Sequence, residues 1–299
     1  MDSLTRRTFL QTGAALFAVR GAHAAAPDID FPTAARDRLA VATYPFRNFM
    51  DRRGHPGIKL TDFAAMVADK FGLHNIEPLS DHFPSTEPAY LEELRTAVEK
   101  AHAHIVNIPC GVGPSLYDAD AAKRDAAVAN NKKWVDVAVA IGSPSIRVHV
   151  QNARGGPDVD RASDALKRVA EYGAAKKVVV NLENDDLVSE DAFFLAKVID
   201  AVHSPWLHAL PDFGNSMLKG DEEFNYKAAE AMFRRAYCIS HVKDSEVMGK
   251  KVFRVDVAKT FGIAKAAGYR GYFSMEWEGE GGPYEGTQKL IDESLKDLG

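Results

Sequence analysis

The sequence predicts a single-domain (β/α)8 barrel, and three observations predict it. Short apolar runs with strand character alternate eight times with longer stretches of helical periodicity. Such alternation means a parallel sheet, because parallel strands need a crossover and the crossover is usually a helix. Eight units fill most of the 299 residues, and about 250 residues is the usual size of the closed barrel. A doubly wound open sheet alternates too, but the chain has no Gly-rich first βα turn of the dinucleotide-binding kind. The domain is assigned to residues 26–299, with residues 1–25 set apart as a leader.

The leader differs in kind from the rest. "TRRTFLQTGAALFAVRGAHAAAP" carries Arg6 and Arg7, an apolar stretch from Phe9 to Val19 and a small-x-small ending at Ala22-His23-Ala24. The stretch is shorter than the roughly 20 residues that span a bilayer. Paired arginines followed by Phe9-Leu10 resemble a Tat-type signal. The expectation is a mature protein starting near Ala25, exported to the periplasm or secreted. No second apolar run is long enough for a membrane helix, so no stable membrane anchor is expected.

The elements follow in order. "LAVATYPF" (Leu39 to Phe46) is strand one; Phe63, Met66, Val67 and Phe71 then space as a helix after Thr61 as N-cap, closed by Gly72. "HNIEPL" (His74 to Leu79) is strand two, followed by a helix with Leu91, Leu94, Val98 and Ala101 inward. "HIVNIPC" (His104 to Cys110) is strand three, and Gly142 ends the helix before "SIRVHV" (Ser145 to Val150), strand four. "VVVNLEN" (Val178 to Asn184) is strand five; Phe194, Val198 and Val202 form a helix after Ser189. "LHALPDFG" (Leu207 to Gly214), "YCISHVKD" (Tyr237 to Asp244) and "GYFSMEWEG" (Gly271 to Gly279) are strands six to eight, the last preceded by Gly268. A helix around 287–298 closes the chain.

Composition bounds the function. The net charge of −5 and pI near 6.1 exclude a basic nucleic-acid-binding face. Cys110 and Cys238 lie in apolar runs and make neither a disulfide framework nor a zinc pattern, so they are core thiols.

On this fold active sites sit at the C-terminal ends of the strands. Strand five ends in Glu183, strand six in Asp212, strand seven in His241 and strand eight in Glu276, each about one βα unit from the last. Three carboxylates and an imidazole on one rim would repel one another unless a cation sat among them. Oxygen-rich ligation with one nitrogen suits Mn2+ first, with Mg2+, Co2+ or Zn2+ as alternatives. Glu278 shares a face with Glu276 and competes with it; Glu276 is preferred because it follows the apolar run directly. Glu77 also ends its strand, as an acid/base or substrate-contact residue or as a salt bridge across the rim.

The motifs "NLEN", "LPDFGN", "SHVKD" and "GYRGYFSMEWEG" resemble the strand-end motifs of the xylose isomerase-like barrels, the sugar phosphate isomerase/epimerase group. The resemblance is strongest from Val178 to Gly279. It implies that Glu183, Asp212, His241 and Glu276 bind the metal and that Glu183 and Glu276 are the proton-transfer carboxylates. In such a site a ketose chelates the cation, which stabilises the enediolate formed on deprotonation. Carboxylates on opposite sides of that carbon then exchange the proton between faces.

Lys243, two residues past His241 and on its face, is either a further positive charge for the oxyanion or half of a surface pair with Asp244 or Glu246. Ketohexose 3-epimerases resemble one another in a His three residues after the strand-six Asp and an Arg six after the strand-seven His. Here Asn215 and Val247 stand at those places. Arg147 and His149 on strand four, His82 and Trp277 are alternative substrate contacts, Arg147 and His149 competing with a salt-bridged core layer. The expected reaction is metal-dependent isomerisation or epimerisation of a ketose or keto-sugar derivative. Its alternative is a dehydratase or keto-glycoside lyase using the same site. The partner is a small sugar, and a homo-oligomer is left open.

Overall fold

The structure is a computed structural model that describes residues 25–51, 55–279 and 281–298. The predicted leader lies outside the described residues except for Ala25. In chain order the elements are β1 (Leu39–Ala42), α1 (Leu60–Phe71), β2 (Asn75–Glu77), α2 (Pro88–Lys100), β3 (His104–Ile105), α3 (Ala121–Ile141), β4 (Ser145–Val148), α4 (Val159–Lys176) and β5 (Val179–Glu183). They continue as α5 (Ala192–Val202), β6 (Leu207–Leu210), α6 (Glu222–Phe233), β7 (Ile239–Val242), β8 (Ser245–Met248), β9 (Lys251–Arg254), α7 (Val257–Ala266), β10 (Tyr272–Met275) and α8 (Pro283–Leu298).

Two parallel arcs, β3-β2-β1-β10-β7 and β4-β5-β6, make the barrel. Single bridges join them. Pro109 pairs with Arg147 between the β3 and β4 chains, and Asp212 pairs with His241 just beyond β6 and on β7. The ring therefore closes in the order 3-2-1-10-7-6-5-4. Helix faces such as Phe63, Val67, Leu94, Leu166, Leu195 and Leu290 bury their apolar stripe against the outer face of the strands.

All eight predicted barrel strands are present, with shorter spans. Strand one gives way at Tyr44 to a 3-10 turn, Tyr44–Phe46, as Pro45 removes a ladder donor. Strand three is only His104–Ile105, because Pro109 also lacks an N–H and pairs only through a bridge. The α1 N-cap is Lys59, not Thr61, which lies one residue inside the helix. The α5 cap is Asp191, not Ser189: its carboxylate accepts from the N–H groups of Phe193 and Phe194. The last helix starts at Pro283, not Thr287. Gly72 and Gly142 do close α1 and α3 in the left-handed conformation. An antiparallel hairpin, β8–β9, follows strand seven and was not foreseen.

Cys110 and Cys238 are free and buried, as expected for core thiols, and burial pushes both thiols well above the usual range. No helix of the described residues is long and apolar enough to cross a membrane.

The first described residues belong to the fold. Trp206 Nε1 donates to the Ala25 carbonyl (2.7 Å), and Tyr237 Oη donates to the Pro27 carbonyl (2.9 Å). Phe31 packs edge-on to Tyr237 and Tyr272, with centroids 5.2 and 5.7 Å away. Trp206, Tyr237 and Tyr272 stand at the starts of their strands, so this segment covers the end of the barrel opposite the acids. Each such hydrogen bond contributes about 1 kcal/mol and each aromatic pair about 0.5–1.5 kcal/mol. A chain beginning at Pro32 is expected to be about 3 kcal/mol less stable to urea than one beginning at Ala25.

Candidate metal centre

The site is built where the strands run out. Glu183 is the last residue of β5, His241 lies on β7, and Glu276 follows β10, its N–H donating to the Val242 carbonyl at 2.9 Å. Asp212 lies two residues past β6. Its N–H donates to Asn184 Oδ1 (2.8 Å), and its Oδ1 accepts from the N–H groups of Gly214 (2.7 Å) and Asn215 (2.6 Å). That turn leaves Asp212 Oδ2 aimed away from its own backbone.

The structure brings the four predicted ligands together. Glu183, Asp212, His241 and Glu276 are 3%, 1%, 0% and 5% exposed, and one ligand atom from each lies within 4.8 Å of the others. His241 Nδ1 is 2.8 Å from Glu183 Oε1 and 3.3 Å from Glu276 Oε2. Ligand atoms about 2.1 Å from a shared ion stand about 3.0 Å apart at right angles and about 4.2 Å apart across it. The donor set therefore fits a divalent cation. Asp212 Oδ2 supports this fit, being buried with no hydrogen-bond partner among the described residues.

The electrostatics say the same. Burial raises the Asp212 pKa well above the usual carboxylate range; Glu183 and Glu276 add to the rise, and Lys243 only partly opposes it. Burial opposes protonation of His241, yet Glu183, Glu276 and Glu77 outweigh it and lift the imidazole well above its ordinary value. Asp212 is the carboxylate left without sufficient counter-charge, while His241 and Lys243 hold Glu276 below the usual range against its burial.

Two basic residues flank the cluster. The Lys243 ammonium is buried, 2.9 Å from Asn215 Oδ1, 3.2 Å from Glu246 Oε2, 3.4 Å from both Asp212 Oδ2 and Glu276 Oε2, and 3.6 Å from Glu278 Oε1. Of the two readings of Lys243, the surface pair is the one corrected: its pair with Glu246 is buried, and Asp244 pairs with Lys289 instead. On the other flank, Arg147 Nη2 stands 2.8 Å from Glu183 Oε2. That oxygen takes no well-aligned hydrogen bond, so the contact is chiefly Coulombic. Burial tends to raise the Glu183 pKa, but Arg147, then His241, hold the carboxyl well below the usual range.

Arg147 is held in turn. Its Nη1 contacts His149 Nε2, and His149 Nδ1 lies 3.1 Å from both Glu190 oxygens and 3.5 Å from Asp185 Oδ2. This is the salt-bridged layer weighed for Arg147 and His149, placed beside the acids. An Arg147→Lys variant loses the fork that spans Glu183 and His149. It is expected to be about 1–3 kcal/mol less stable in a urea titration.

The other predicted contacts divide. Asn215 is in the site, donating from Nδ2 to Glu183 Oε1 at 3.3 Å. Glu77 faces His241 Nε2 at 3.0 Å, on the side of the ring away from the cluster. His82 is buried in a 3-10 turn after β2, its Nδ1 2.8 Å from Thr43 Oγ1. Trp277 alternates with Glu276 and packs against Gly279 and Gly286, outside the barrel lumen. Glu278 is beside Lys243 rather than among the ligands.

Sequence reasoning missed Asn107, Glu190 and the burial of Glu246. Asn107 carries a readable signal, its place in the apolar run of strand three; Glu246 is buried by the β8–β9 hairpin. Glu190 lies in a loop, where no periodicity applies.

Comparison with known proteins places the chain. The family model described as xylose isomerase-like TIM barrel matches residues 66–298. No curated protein matches. Among solved structures, D-allulose 3-epimerase from Methylomonas sp. in complex with D-allulose superposes with a TM-score of 0.65 at 16% identity, over 90% of this chain and 97% of that one. A xylose isomerase-like TIM barrel protein from Mycobacterium smegmatis in complex with magnesium gives a TM-score of 0.67 at 15% identity, over 89% and 99%. Apo 3-keto-D-glucoside 4-epimerase from E. coli gives 0.59 at 14%, over 87% and 98%. At these identities the superpositions establish the fold, and the family model extends over most of the chain. The chain belongs to the xylose isomerase-like TIM barrel family.

Proposed function

We propose that the protein is a divalent-metal-dependent isomerase or epimerase acting on a ketose or keto-sugar derivative. The observation that carries this reading is the convergence of Glu183, Asp212, His241 and Glu276 on one buried point. When bound there, a divalent cation, Mn2+ by preference and Mg2+, Co2+ or Zn2+ otherwise, supplies a fixed positive charge against the negative charge that develops on substrate oxygens.

The chain's own residues supply the rest. Around the barrel the order is β5, β6, β7, β10, so Glu183 and Glu276 stand at opposite ends of an arc with Asp212 and His241 between them. A sugar carbon held over the middle of that arc has a carboxylate on either side. One removes the proton from one face and the other returns a proton to the opposite face. Arg147 keeps Glu183 anionic. Lys243 places an ammonium between Asp212 and Glu276, near the oxygens that gain charge. The keto-sugar class draws support from the epimerases that share the fold, among them the 3-keto-D-glucoside enzyme. We further propose export by the twin-arginine leader, on Arg6, Arg7 and the apolar stretch after them.

A second reading keeps the first proton abstraction and expels a β-leaving group. The replacement of the epimerase His and Arg positions by Asn215 and Val247 favours it. One experiment separates the two. The chain from Ala25, loaded with each cation in turn, is incubated with 3-keto-glucosides in D2O and followed by NMR. An epimer carrying solvent deuterium is the expected result. An unsaturated keto-sugar or a free aglycone supports elimination, and no reaction with any of the four cations overturns both.

A further inference from the structure

We infer that Glu77 is a positioning residue that selects which ring nitrogen of His241 is presented to the cation. This rests on the metal reading above. The His241 ring is fully buried and stands between two sets of oxygens. Nδ1 faces the ligand cluster, at 2.8 Å from Glu183 Oε1 and 3.3 Å from Glu276 Oε2. Nε2 faces Glu77 Oε1 at 3.0 Å.

A neutral imidazole carries one N–H, and an ionised carboxylate only accepts. Nδ1 faces two carboxylates and Nε2 one; with a cation among the acids holding the Nδ1 lone pair, the single N–H belongs on Nε2, where Glu77 accepts it. Without that acceptor an Nε2–H would be buried unpaired, and the competing tautomer, with Nδ1–H turned to Glu183, would gain on the one that can bind a cation.

Glu77 is built for this task rather than for touching sugar. It is fully buried at the end of β2, and the imidazole separates it from the other acids. Its Oε1 also accepts from Asn107 Nδ2 at 2.8 Å. The Asn107 amide is oriented in turn, since its Oδ1 accepts from Ser145 Oγ at 2.7 Å. An ionised Glu77 only accepts, which turns the Asn107 NH2 towards it and leaves Oδ1 for Ser145. Glu77 Oε2 has no hydrogen-bond partner among the described residues. A buried carboxylate supported so sparsely is costly, and orienting His241 is the role its one engaged oxygen serves. The acid/base and substrate-contact roles read from its strand-end position give way to this one.

The test uses the chain from Ala25 with all histidine rings 15N-labelled, plus Glu77→Leu and Glu77→Gln variants. Mn2+ affinity is measured from free Mn2+ by EPR. Tautomers are read in long-range 1H–15N spectra with Mg2+ added, His241 being assigned by its loss in a His241→Gln variant. The wild type is expected to bind Mn2+ and to show His241 protonated on Nε2. Glu77→Leu is expected to bind Mn2+ about ten- to a hundredfold more weakly and to lose the single tautomer. Glu77→Gln, which keeps an accepting oxygen, should recover most of both. Unchanged affinity and tautomer in Glu77→Leu would overturn the inference. If the leucine variant does not fold, the wild-type tautomer decides alone, and a proton on Nδ1 with Mg2+ bound sinks the idea. A wild type that binds neither cation removes the metal reading itself, an outcome distinct from failure of Glu77's role.

Discussion

Glu183→Gln and Glu276→Gln variants are each expected to lose about 10²–10⁴-fold in turnover of a keto-sugar at saturating cation, the usual contribution of a positioned proton-transfer group. Glutamine preserves volume, so the barrel should remain folded. The losses should also differ in kind. Glu183 comes from β5 and Glu276 from beyond β10, and each addresses one face of the substrate carbon. A variant that lacks one carboxylate can still exchange the proton on the face of the other. Interconversion of epimers should therefore collapse in both variants, while solvent deuterium still enters on the remaining side. The check is NMR of substrate incubated in D2O with each variant. Turnover within about tenfold of wild type for both variants would remove the two residues from the chemistry. Proton transfer would then have to be assigned to other groups on the rim.

The residues that carry this prediction were legible because the barrel imposes a rule on sequence. An inward residue at the C-terminal end of each strand reaches the same rim, so Glu183, Asp212, His241 and Glu276 could be found by their recurrence. Alternation along the strand puts Glu276 and Glu278 on one face and Trp277 on the other. What was not legible depends on contacts between residues far apart in the chain. Nothing local tells that Glu77 lies behind the ring of His241, 164 residues away. Nor does the sequence near Glu190 show that a loop brings it to His149. The β8–β9 hairpin was missed for a different reason. Gly249, in the left-handed conformation, and Lys250 form a two-residue turn between Met248 and Lys251, a readable hairpin signal. A strand that ends at Asp244 in the sequence reading leaves this turn outside it. That hairpin places Glu246 against Lys243, and so completes a charge cluster that composition alone describes as surface.

The same cluster sets the second large effect. A Lys243→Met variant, measured by urea unfolding in the presence of EDTA, is expected to be about 3–5 kcal/mol less stable than wild type. Removing one member of a buried ion cluster leaves charges that cannot be solvated. Lys243 is 2% exposed, and its ammonium is the near counter-charge of Asp212, Glu246, Glu276 and Glu278. Methionine fills much of the same volume, so packing is a minor part of the loss. The stem of Lys243 runs over Gly214, where an added Cβ would meet its Cγ and Cδ at 3.1 Å. Val255 Cγ2 lies at the same 3.1 Å, so a side chain there would press on both neighbours. Gly214→Ala should accordingly displace the ammonium and give a smaller loss in the same direction. Added Mn2+ provides the discriminating arm. A cation bound by the folded state stabilises it by mass action, and it also relieves Asp212 and Glu276 of the repulsion that Lys243 otherwise offsets. Mn2+ should therefore restore more stability to Lys243→Met than it adds to wild type. Equal increments in the two proteins would show that Lys243 and the cation do not share these carboxylates. A Lys243→Met variant within about 1 kcal/mol of wild type in EDTA would show that the ammonium does not neutralise the cluster.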